Sequence, residues 1–136
     1  MVDLIVTEAV DANYETLDTA LDNASPNDVI EIQDSWTNAD TDACTVADSG
    51  ITIQCDSTAH HIGRPHGGAE TTYRHRSTSG HSFTIGSPGL TIDGLDIQNE
   101  STGVSRSGNS FRSMAIPITT ETTLFVTDCI VWRVLS

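Results

Sequence analysis

The stretch 14-YETLDTALDNASPNDVIEI-32 changes its apolar period halfway along. Tyr14, Leu17, Ala20, Leu21 and Ala24 keep the i, i+3, i+4, i+7 spacing of one helical face. Asn13 stands where an N-cap would, and Glu15 and Asp18 lie near the positive end of the helix dipole. The spacing predicts an amphipathic helix over 12–24. Pro26 ends it, and from Val29 the apolar residues of "VIEI" alternate, as in a strand with one buried face. A single short helix thus precedes a run of strands.

Three later segments resemble one another: "GITIQCD" at 50–56, "GLTIDGLDIQN" at 89–99 and "TLFVTDCIVWR" at 123–133. Aligning the last two sets Leu90 over Leu124, Ile92 over Val126, Leu95 over Cys129 and Ile97 over Val131. Between the inward pairs lies a two-residue break, Asp93-Gly94 or Thr127-Asp128, of types that enter the left-handed region cheaply. Short strands that bend there and recur along the chain predict repeated coils with excursions between them. The expected fold is therefore all-β: a short right-handed parallel β-helix, or β-solenoid, with an N-terminal amphipathic capping helix over its first strand edge. It forms one domain over 1–136, with the cap at 12–24, first coils at 29–56, a His/Arg-rich insertion at 57–82, a coil at 83–99, a Ser/Gly-rich loop at 100–114 and a last coil at 115–136.

On these residues the chain resembles the right-handed parallel β-helix superfamily of pectate lyases, polygalacturonases and phage tailspikes. The likeness covers residues 5–56 and 82–133. That superfamily hosts lyases, hydrolases, binding modules and virion fibres, so the resemblance implies a fold more than an activity. "TIDGLDI" at 91–97 is similar to a polygalacturonase motif in which Asp93 would be catalytic. Thr91 and Ile92 depart from that motif, however, and the chain lacks the Asp-Asp pair, the Gly-His-Gly and any Lys. Asp93 is accordingly read as a bend residue. Asp40, Asp42 and Asp48 lack calcium-loop spacing and have no nearby Arg, so they read as a solvated acidic loop. No catalytic residue, metal or cofactor is assigned.

Charge is uneven. Residues 1–63 hold 13 of the 19 acidic side chains and no Arg or Lys, whereas all six cations are Arg at 64 or beyond. A net charge of −13 repels phosphate backbones, which argues against nucleic-acid binding and suits salt-rich surroundings. There is no apolar run long enough to span a membrane, and the N-terminus lacks the pattern of a signal peptide. Cys44, Cys55 and Cys129 read as small core residues or free thiols.

"HHIGRPHGGAETTYRHRSTSGH" at 60–81 gathers all five histidines, three Arg and Tyr73. As a lateral loop it offers Arg64, Tyr73, Arg74 and Arg76 for an acidic polysaccharide, and His60, His61, His66, His75 and His81 as weak metal candidates without a ligand motif. The last segment, "TLFVTDCIVWRVLS", is apolar with no polar cap after it. Trp132, Leu135, Arg106 and Arg112 are therefore candidates for contact with a neighbour. Together these features predict a non-enzymatic structural protein, such as a capsid decoration, head-fibre or tail-associated component of a virion or an extracellular assembly. Its expected partners are further copies of itself, as a trimer, or a larger protein scaffold. The alternative expectation is a carbohydrate-binding or carbohydrate-active protein.

Overall fold

The computed structural model describes residues 2–8, 13–60, 73–77, 83–86, 89–99, 124–127 and 130–133. Ten strands and one helix follow in the order β1 (Leu4–Val6), α1 (Leu17–Asp22), β2 (Val29–Ile32), β3 (Cys44–Val46), β4 (Thr52–Cys55), β5 (Arg74–Ser77), β6 (Phe83–Ile85), β7 (Leu90–Asp93), β8 (Asp96–Asn99), β9 (Leu124–Thr127) and β10 (Ile130–Arg133). Every strand pair is parallel. One sheet runs β1-β2-β4-β7-β9, a second β10-β8-β5 and a third β3-β6.

Register follows the alternation of the sequence. Leu4, Ile30, Ile53, Ile92 and Val126 form one row across the five-stranded sheet, and Val6, Ile32 and Cys55 form the next. Slipping any one strand by a residue would turn its apolar set outward, so burial specifies the pairing. The inward side chains from Leu4 to Ile97 join Leu17, Ala20, Leu21, Trp36 and Tyr73 in one core.

The structure corrects the expected fold class. Sequence repetition fixed neighbours: Leu90 pairs with Leu124, Ile92 with Val126 and Ile97 with Val131. It did not produce the all-β solenoid. The described residues form a small mixed arrangement of three unequal parallel sheets, with five, three and two strands of three or four residues each, and one short helix. No long solenoid is evident among them, because matching registers choose a strand's neighbours without supplying equal walls.

The helix is also shorter than expected. Its N-cap is Thr16, whose hydroxyl accepts the Thr19 amide, rather than Asn13. Tyr14 lies outside the helix and bridges Val6 in parallel, with the Thr7 amide donating to the Tyr14 carbonyl at 3.1 Å. Tyr14 thereby bridges the outer side of β1 at Val6, and α1 packs against β1, β2 and β3. Asp93 ends β7 as a strand residue, and the left-handed bend falls on Gly94 (φ 77°) alone.

Candidate functional site

Two polar constellations sit on opposite sides of the loop between β2 and β3. The inner one centres on Asp40, only 5 % exposed. Its Oδ2 accepts the amide of Leu17 at 2.8 Å and the hydroxyl of Tyr73 at 3.0 Å, and its Oδ1 accepts the Asp42 amide at 3.2 Å. Its backbone joins β5, since the Asp40 amide donates to the Arg74 carbonyl and the Arg76 amide to the Asp40 carbonyl. One carboxylate thus ties the start of α1, the loop and β5 together. Tyr73 is fully buried and packs edge-on against Trp36 at 4.8 Å. Burial, aided by the negative charge of Asp40, pushes its hydroxyl pKa well above the ordinary range.

His75 continues the inner constellation from β5. Its Nε2 lies 2.5 Å from the Asp42 carbonyl and 3.5 Å from Cys44 Sγ. A carbonyl can only accept, so Nε2 carries the proton and donates it, which leaves Nδ1 a bare acceptor, buried and without a partner. Burial lowers the His75 pKa although the Asp42 carbonyl and the carboxylates of Asp40, Asp42 and Asp18 act upward. Burial, reinforced by Asp40, Asp18 and Asp42, pushes the Cys44 thiol well up. The Cys–His pair has the adjacency of a nucleophile and its base, but a nucleophile needs a thiolate and an approach route. Cys44 is 1 % exposed and protonated, so the pair is internal structure.

The outer constellation is an open cleft of about 610 Å³ lined by Thr7, Glu8, Asp34, Ser35, Thr37 and Asn38. Its walls are the turns that leave the ends of β1 and β2. Glu8 spans them, accepting the Thr37 and Asn38 amides and the Asn38 carboxamide. Partial burial, the largest influence on Glu8, acts upward on its pKa, but those bonds and the Arg74 cation together hold it below the usual range. Arg74 Nη2 donates to the Thr37 carbonyl at 3.0 Å. Trp36, between the exposed pairs, points into the core and donates its Nε1 proton to the Gln33 carbonyl at 3.1 Å.

The residues singled out from sequence are dispersed. Tyr73 and His75, expected on a lateral loop, are interior residues at and within β5; Arg74 turns back to Thr37, and Arg76 is exposed on β5. Tyr73 is thus enclosed, whereas Arg76 is displayed to solvent. His60 pairs with Asp93 at 3.5 Å, with both side chains partly exposed. Trp132 lies in β10, in register with Gln98. Arg64, His61, His66, His81, Arg106, Arg112 and Leu135 lie outside the described residues. Asp40 is buried rather than solvated, and neither it nor Glu8 stood out by spacing. Among the described residues, no three His, Cys, Asp or Glu side chains are grouped to hold a metal ion.

No protein-family model, curated protein or solved structure matches the chain. The functional reading rests on its own geometry.

Proposed function

We propose that the chain is a non-catalytic assembly component that associates with further copies of itself. The observation that carries this reading is the difference between the two ends of the sheets. At one end, Tyr14 bridges β1 at Val6 and α1 packs against β1, β2 and β3. At the other end, β9 and β10 are the outer strands of the five- and three-stranded sheets, and among the described residues each has a strand on one side only. Such strands present backbone N–H and C=O groups at the spacing another strand matches.

Charge permits a second copy as the partner: every Arg lies at 64 or beyond, in a half whose six Arg balance six carboxylates, so Arg side chains of one copy can meet the acidic residues of 1–63 in another. The protonated, enclosed Cys44 favours the non-catalytic side of the reading. The test is light scattering at low and high salt, paired with amide exchange at β9 and β10. A defined multiple of 14.5 kDa, with slow exchange in both strands, is the expected result. A monomer at every concentration and salt level would refute the proposal.

A further inference from the structure

The cleft between the turns after β1 and β2 has a different character from the sheet ends. We infer that it binds a neutral, hydroxyl-rich ligand, a short stretch of uncharged glycan, through Asp34, Ser35, Thr37 and Asn38. This inference is independent of the assembly reading.

Its volume of about 610 Å³ falls within the range of roughly 300–1,000 Å³ typical of small-ligand sites. Its rim is held before any ligand arrives. Glu8 fastens two successive amides of the 37–38 turn, Arg74 fastens the Thr37 carbonyl, and Trp36 anchors the same turn in the core. Little ordering remains to oppose binding. These ties use Glu8, while Asp34, Ser35, Thr37 and Asn38 are exposed residues that line the cleft. That set accepts and donates hydrogen bonds at closely spaced points, as vicinal hydroxyls require.

Asp34 adds a second observation. It holds φ at 65°, a left-handed conformation that Asp enters more readily than most residues with a Cβ. Its amide donates to the Asp56 carboxylate at 3.4 Å. In this conformation Asp34 forms part of the cleft lining. Ligand charge follows from the surroundings. Glu8, Asp34 and a net charge of −13 repel uronates and phosphates, and Arg74 beside Glu8 offsets part of the attraction for cations.

The test is ¹H–¹⁵N NMR titration of the full chain with maltotetraose, cellotetraose and chitotetraose, with tetragalacturonate as the anionic comparison. Saturable shifts at the Asp34, Ser35, Thr37 and Asn38 amides with at least one neutral tetrasaccharide are expected, at concentrations on the order of 10 mM or below. Asp34→Gly, which suits the same left-handed backbone and removes the carboxylate, should weaken binding by about tenfold or more while its spectrum stays that of a folded chain. Absence of saturable shifts with all three neutral probes, equal or tighter binding of tetragalacturonate, or unchanged affinity in both Asp34→Gly and Asn38→Ala would overturn the inference. Sample mass measured alongside separates this outcome from any failure to assemble.

Discussion

Asp40→Ala should destabilise the protein more than any other single change to a loop residue. The substitution removes the acceptor for the Leu17 amide, the Tyr73 hydroxyl and the Asp42 amide. Tyr73 is fully buried, and the Leu17 bond is buried as well, so neither donor gains water in exchange. Each buried donor left without an acceptor costs about 1–3 kcal/mol, and the third, nearer the surface, adds little. Asp40→Ala should therefore cost about 3–5 kcal/mol, from a total on the order of 7–15 kcal/mol for a domain of this size.

Tyr73→Phe alone removes one donor and leaves Asp40 with its two amides, so it should cost about 1–2 kcal/mol. In the Asp40→Ala background the same change deletes an orphaned hydroxyl and should be neutral or stabilising. The assay is urea unfolding of the wild type, both single variants and the double variant, at unchanged m-value. A coupling energy of about 1–3 kcal/mol is expected. If the two losses add to within about 0.5 kcal/mol, the carboxylate does not hold the hydroxyl and the reasoning fails.

The buried groups also set a pH window. His75 has a lowered pKa, so the unfolded chain takes up that proton first, and stability present above about pH 6.5 is lost as the pH falls toward the folded value. Cys44 and Tyr73 have raised values, so the unfolded chain releases those protons first and stability declines above about pH 9. Unfolding midpoints measured across pH should peak between these limits, and His75→Gln should flatten the acid side. Gly94→Ala should cost about 2–4 kcal/mol in urea unfolding, because Gly94 holds φ at 77° and a Cβ there would fall on the His60 ring; His60→Ala should recover part of that loss. Thermal midpoints should rise with potassium chloride, as screening relieves the mutual repulsion behind a net charge of −13; a flat salt dependence would show that repulsion to be unimportant.

The parts of the fold legible in the sequence were those that local alternation decides. Ile30, Ile32, Ile53 and Ile92 are separated by polar residues, and one-sided burial made their direction readable before any partner was known. The repeated segments even gave their own register, from Leu90 with Leu124 to Ile97 with Val131. What remained hidden was closure. Which strands form how large a sheet depends on the segments between them, and those carry no period.

The strand "RHRS" shows a second limit. Tyr73, His75 and the arginines alternate inward and outward as strictly as the isoleucines do, but the inward residues are polar and the segment resembled a binding loop. Their burial is made possible by Asp40, 33 residues before Tyr73, and by the Asp42 carbonyl. No local pattern carries that information, because each partner alone has the composition of a surface residue. The helix start was ambiguous for a related reason. Asn13 and Thr16 are both good caps, and the choice fell to Thr16 once β1 engaged the backbone of Tyr14.

The loop that joins the two constellations explains why so much polarity is buried beneath a short turn. From Asp34 to Asp40 the chain shows solvent four side chains, Asp34, Ser35, Thr37 and Asn38, and sends Trp36 and Asp40 inward. A loop this exposed would ordinarily be among the least stable parts of a domain. Here Trp36 meets Tyr73, Tyr73 donates to Asp40, Asp40 joins α1 to β5, and Arg74 of β5 returns to the Thr37 carbonyl. The chain of contacts closes on itself around the loop, so the inner carboxylate constrains the outer cleft without touching it. Asp40→Asn, which keeps the shape but exchanges one acceptor for a donor, should thus broaden the Thr37 and Asn38 amide signals at temperatures where the core remains folded. Sharp, unshifted signals in that variant would mean that the cleft owes its form to Glu8 alone.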